Sequence, residues 1–256
     1  KDTLDMTWIM TATGRRIDFI NPDPLQISID DVIVSLSRNH RFGGFSPFKI
    51  GQHIIEVVEL MVRKALEENP NLTEAQIAEI VLVGLLHDFP EYVVGDCPTP
   101  FKRLLAPLFD NAESAILLAM LRKWQVRDAY AKHGSLLKWA DNEAVQQEAI
   151  RFRLDGFFVD DNGEERVVPR VWVPENKVVT LASDILSEEA VAMFLLMYFL
   201  KAMVLSGRVN LIGGYAQNFI HKEAKHSNNT VEEWVREHRV TLTLESIFLD
   251  GWKAYV

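Results

Sequence analysis

Two apolar-periodic stretches lie close together between Ile50 and Asp88 and do most to restrict the fold. "IGQHIIEVVELMVRKALEE" runs from Ile50 to Glu68 with apolar residues at helical spacing, and "AQIAEIVLVGLLHD" follows from Ala75. "NPN" at 69–71 breaks the first helix, and Thr73 with Gln76 forms a capping box for the second. The second stretch ends abruptly in His87-Asp88, followed by Pro90, Glu91 and, five residues on, Asp96. Pro90 stops that helix, because it removes a backbone donor and its ring clashes one turn back. A helix that only packed a core would have no reason to finish on these polar groups.

Helical patterning dominates the first 155 residues. Asp30 or Asp31 is placed to cap "DVIVSLSR", one helix is expected across Arg103–Trp124, and another from near Ser135 through "SLLKWADNEAVQQEAIRFRL". After Leu154, "FFVDDNGEERVVPRVWV" sets two β-rich runs around an Asp-Asn-Gly turn signal, which predicts a small hairpin. Helices resume with "SEEAVAMFLLMYFLKAMVL", "GGYAQNFIHKEAKH" and "TVEEWVREHRV", the last capped by Thr230. The expected class is all-α: a helical domain over 1–154, with the hairpin and a helical C-terminal extension, 155–256, packed on it.

A chain of 256 residues has the length of one large domain or one domain with an appendage. Its net charge of −9 excludes a protein built mainly to neutralise a nucleic-acid backbone. A small phosphorylated substrate needs only a local positive cluster. Cys97 is the sole cysteine, which allows no internal disulfide, and "KDTLDMTWIM" lacks the regions of a signal peptide, so the expected compartment is the cytoplasm. The most apolar run, Ala190–Leu200, falls short of the ~20 residues a bilayer span requires. It reads as a helix of the core or of a homo-oligomer interface, with no membrane partner.

His53 sits in "GQHIIEV" among residues that would bury it, and Asp141 interrupts the pattern of "KWADNEAV". Taken singly, His53 is a hydrogen-bonded core histidine, Asp141 a helix-face acid beside Lys138, and Glu91 a helix-start acid favoured by the dipole. Together, two imidazoles and two carboxylates on three helices make a set of donors for a divalent metal, since a buried ionised Asp is costly unless paired or bound to a cation. Ligation also explains His87 beside Asp88. Neighbouring helical residues diverge by roughly 100°, so one ion accepts both only where the helix ends.

The order His53…His87-Asp88…Asp141 resembles the H…HD…D signature of the HD-domain metal-dependent phosphohydrolases. "HDFPEYVVGDCPTPFK" is similar to the HD-x-x-E…GD-x-P-T-P-x-K segment of bacterial 5′-deoxyribonucleotidases and of the related phage-type dATP triphosphohydrolases. The likeness covers residues 30–154. It implies an HD-domain helical bundle holding one divalent ion (Zn, Mn, Co, Fe or Mg) on His53, His87, Asp88 and Asp141. It also implies that Glu91 acts on the leaving group or the water, and that Asp96 orients the attacking water. An Arg followed by an aromatic precedes the first His in that family, which points to Arg41-Phe42 for the substrate phosphate, with Arg38 in reserve. Lys102, closing the string, contacts phosphate as a point charge. The implied activity is a metal-dependent phosphohydrolase acting on deoxynucleotides, foremost a 5′-deoxyribonucleotidase. The alternatives are a dNTP (dATP) triphosphohydrolase and a non-catalytic nucleotide-binding HD module. The expected partner is a small nucleotide.

Overall fold

Helix α2 (Ile50–Glu68) runs through the middle of the molecule, and every residue from Ile50 to Val62 is buried. The computed structural model describes residues 7–151, 157–159, 165–167, 185–231 and 233, and these are mostly helical. Helix α3 (Glu74–Leu86) begins at the Thr73 capping box, with both reciprocal hydrogen bonds formed. From Ile77 to Leu86 only Glu79 is not buried, the pattern of a helix enclosed on all sides. The short turn between α2 and α3 makes them antiparallel neighbours. The start of α2 and the end of α3 therefore lie at the same end of the bundle.

Two glycines set how closely the helices approach. A Cβ at Gly84 would stand 2.8 Å from Val58 Cγ2 and 3.1 Å from Met61 Sδ, so α3 lies against α2 as only glycine allows. A Cβ at Gly51 would stand 2.6 Å from Val191 Cγ1, which brings α8 (Glu188–Leu205) equally close. Helix α8, the apolar run of the sequence, packs on α1 (Ile29–Leu36), α2 and α3, and its Leu195, Phe199 and Met203 are wholly buried in the same core. Helix α7 (Arg127–Arg151) crosses α2 and α3, and α9 (Gly214–His226) lies on α1. Below the end of α3, Phe89 meets Trp124 edge-on at 6.2 Å, and Trp124 meets Phe199 at 5.1 Å. Burying each of these rings contributes ~1.5–3 kcal/mol, and it anchors the segment that follows His87-Asp88.

Several local expectations need correction. The first residues are not all helical: β1 (Trp8–Met10) and β2 (Arg16–Asp18) pair antiparallel, Trp8 opposite Asp18. Neither Asp30 nor Asp31 caps α1. Ser28 holds the extended N-cap position, and Asp31 instead accepts hydrogen bonds from Thr11 Oγ1 (2.8 Å), Thr13 N (2.8 Å) and Thr13 Oγ1 (2.7 Å), tying the first hairpin to the helix. The single helix expected over Arg103–Trp124 is two, α5 (Thr99–Leu105) and α6 (Leu108–Lys123), because Pro107 cannot continue a helix interior. Helix α7 begins at Arg127, not near Ser135; Gly134 is carried inside it at a cost of ~1 kcal/mol. The hairpin expected after Leu154 is present as β3 (Phe157–Val159) and β4 (Glu165–Val167). At Thr230 the capping bonds with Glu233 are formed, while the body of that last helix lies outside the described residues. No single helix among the described residues is long and apolar enough to cross a membrane.

Candidate metal centre

His53 enters from the first turns of α2, His87 stands at the C-cap of α3, and Asp88 follows where the backbone leaves the helix. Ligand atoms of these three lie within 4.8 Å of one another. His53 Nε2 is 3.3 Å from His87 Nε2 and 3.4 Å from Asp88 Oδ2, and His87 Nε2 is 3.3 Å from the same oxygen. Tetrahedral bonds of ~2.0–2.1 Å place ligand atoms about 3.3–3.4 Å apart, so these separations match the edges of such a site. Asp141, from α7, stands outside the trio, with Oδ1 3.2 Å from His53 Nε2.

Both imidazoles present the same nitrogen to the centre, for reasons that can be traced. His87 Nδ1 lies 2.6 Å from the Gly84 carbonyl, which can only accept, so Nδ1 carries the proton and Nε2 is left with its lone pair. His53 Nδ1 contacts Glu148 Oε1 at 2.5 Å, which aims its Nε2 at the centre. Carboxylate or carbonyl partners on the far nitrogen are what metal-bound histidines use to fix their tautomer. Burial and Arg41 work against a charge on His53, but Glu148 and Asp141 prevail and raise it to about 10. This spot therefore demands a positive charge, as a proton or as a cation. Burial would likewise neutralise Asp88, but His87, His53 and Arg41 hold its carboxyl well below the ordinary range. Asp141 is also lowered, the hydrogen bond with His53 outweighing burial.

Glu148 and Arg41 form the layer behind. Glu148 is completely buried; it accepts from His53 and from Arg41 Nε at 3.3 Å. Arg41, also buried, reaches Asp88 Oδ2 at 3.5 Å and Asp96 Oδ1 at 3.9 Å through Nη1. One guanidinium thus joins three acids, a geometry that a lysine point charge would not provide. Sequence reasoning missed Glu148. The signal was its spacing: seven residues after Asp141, two turns along one face of α7.

The remaining expected residues fall into distinct places. Glu91 starts the single-turn helix α4 (Glu91–Val94), is 8 % exposed, and its Oε2 is buried with no hydrogen-bond partner among the described residues. Burial first, and then the charge of Asp88, push its carboxyl well above the ordinary range. Asp96 Oδ2 accepts from Gly43 N at 2.7 Å, fastening the turn Phe42–Gly44 over Arg41; Gly43 sits there at φ 62°. Lys102 is paired with Glu113, and both line a cleft of about 430 Å³ together with His87, Asp88 and Asp141. Arg38 is exposed and pairs with Glu188 at 3.5 Å, away from that cleft.

This donor set, with both Nε2 atoms turned inward beside Asp88, could hold a metal ion. No protein-family model matches the chain. It is similar to an uncharacterized protein of Rhodobacter capsulatus, 35% identical over 117 residues, which covers 44% of this chain and 56% of the relative. The chain thus spans little more than half the length of that relative.

Proposed function

We propose that this chain is an HD-type, metal-dependent phosphohydrolase that removes phosphate from deoxynucleoside 5′-monophosphates. The observation that carries the reading is the convergence of His53 Nε2, His87 Nε2 and an Asp88 oxygen within 4.8 Å, at the wall of an open cleft. His53, His87 and Asp88 would hold the ion, with Asp141 beside them. A divalent ion there supplies Lewis acidity and brings the pKa of a bound water towards neutrality.

The chain's own residues do the rest. Asp88 and Asp141 stay ionised at neutral pH and fix the charge of the centre. Burial and the charge of Asp88 push the Glu91 carboxyl upward, which favours the form that would give a proton to a leaving alkoxide. Arg41 and Glu148 keep His53 and Asp88 in place with no conformational adjustment, and Asp96 keeps the Arg41 turn closed. The cleft that would take the substrate is lined by Lys102 and Asp141 as well as His87 and Asp88.

Turnover by the protein reconstituted with Mn, Co, Zn, Fe or Mg, measured separately on dNMPs and dNTPs, tests this. Inorganic phosphate released from dNMPs is the expected result. Triphosphate released from dNTPs would keep cleavage at the P–O5′ ester but move the substrate to the triphosphate class, and metal binding with no turnover on either would overturn the hydrolase reading.

A further inference from the structure

The cleft beside the metal cluster has an electrostatic problem. Asp88, Glu113 and Asp141 line it, and the substrate proposed for it is itself an anion. The cations singled out in the sequence are already engaged. Arg41 is buried against Glu148, Asp88 and Asp96, and Lys102 is paired with Glu113. Arg38 points to Glu188 and does not line the cleft.

One further cation does line it. Lys138 lies on α7, three residues before Asp141, so the two Cβ atoms are neighbours at about 5–6 Å on one helix face. Its side chain is exposed and pairs with no acid among the described residues. Tyr130, Gly134 and Asp141, on the same face of α7, line the cleft with it. The four-carbon stem can therefore swing an ammonium over the mouth of the cleft without giving up a partner.

We propose that Lys138 is the phosphate-binding cation of this cleft. It takes the non-bridging oxygens of a phosphomonoester whose phosphorus faces His87, Asp88 and Asp141. The inference rests on the hydrolase reading for its substrate, though not for the anion site itself. It also bears on substrate class: one uncommitted lysine suits a monoester, whereas the greater charge of a triphosphate needs several cations in a cleft already lined by three acids.

The test is inorganic phosphate binding to the metal-reconstituted full chain, followed by calorimetry, for the wild type, Lys138→Ala and Lys138→Arg. Metal stoichiometry and the urea midpoint are measured alongside. Lys138→Ala is expected to weaken phosphate roughly tenfold, the low end for a charge-assisted contact at an open site. Lys138→Arg should restore most of the binding, with metal content and midpoint unchanged throughout. In turnover, Lys138→Ala should raise KM for a dNMP more than it lowers kcat. Phosphate affinity equal to wild type in Lys138→Ala, or no phosphate binding by the metal-loaded wild type, overturns the assignment. Lysine-dependent phosphate binding without dNMP turnover would uphold Lys138 and sink the hydrolase reading. Unaltered dNMP kinetics in Lys138→Ala would do the reverse.

Discussion

Helix α2 carries two groups of buried polar residues, and they are treated in opposite ways. Around His53, the acids other than Glu91 each have a cation or a hydrogen-bond donor: Arg41 spans Glu148, Asp88 and Asp96, and His53 contacts Glu148, Asp88 and Asp141. One turn on, among the described residues Glu56 receives only Arg151, at 2.8 Å, and its Oε2 is left buried without a partner. Glu59 receives the hydroxyl of Tyr198 at 3.4 Å. The outcome differs accordingly. Glu148 is lowered despite its burial, because His53 and Arg41 compensate it. Burial raises Glu56 to about 7, and burial with the neighbouring Glu56 raises Glu59 to about 8. Depth in the core does not decide whether a carboxyl keeps its charge; the supply of nearby positive groups does.

The largest effect should come from removing an acid of the compensated group that faces the centre. Asp88→Ala is expected to abolish stoichiometric metal while leaving the helical circular dichroism intact. One equivalent of tightly held metal in that variant would remove Asp88 from the ligand set. Next in size is Glu91→Gln, which should keep fold and metal and lower kcat by about 10²–10⁴-fold, the usual worth of a positioned acid. Wild-type kcat would show that the raised carboxyl has no part in the chemistry.

Glu148→Gln should weaken metal by roughly 10–100-fold, as loss of a partner behind a ligating histidine does. It should also cost ~3–5 kcal/mol on unfolding if Arg41 is left uncompensated in the interior. A midpoint within error of wild type would mean that Arg41 draws enough from Asp88 and Asp96 alone. The smallest effect on activity belongs to the uncompensated group. Glu59 is protonated in the fold up to about pH 8 but ionises near pH 4.5 when unfolded. Between those limits the native state binds the extra proton, so stability falls as pH rises through that window and levels off above it. Glu59→Gln should flatten the profile, gaining at least ~1.4 kcal/mol relative to wild type between pH 5 and pH 9. Parallel profiles would place Glu59 among ordinary carboxyls.

Long, strongly periodic segments were legible before any coordinates. The bounds of α2 and the capping box of α3 follow from apolar spacing and from Thr73 and Gln76, which act locally. The hairpin Trp8–Asp18 was not, since three-residue strands are too short to show alternation and its anchor, Asp31, is a tertiary contact. The start of α7 was hidden by Gly134, which breaks a propensity sum but not a helix packed along its length. In the candidate centre, His53, His87, Asp88 and Asp141 stood out as polar residues in apolar patterns. Glu148 sits in "VQQEAI", where a glutamate looks like any solvated residue, and only the fold puts it behind His53. Lys138 is the complement, a residue ordinary in sequence that gains significance from the cleft it faces.

Gly84 has two neighbours that belong to different problems. Its missing side chain leaves room for Val58 and Met61 of α2, and its carbonyl holds the far nitrogen of His87. Closing the helix pair and aiming the imidazole are therefore a single event. A chain in which α2 and α3 have not docked presents its two histidines apart, 34 positions from each other in the sequence. Any ion captured with this geometry binds only the assembled bundle, and by mass action it shifts the population towards that bundle. The centre then works as a latch on the architecture that creates it, and its occupancy is a direct gauge of how much of the protein is correctly closed.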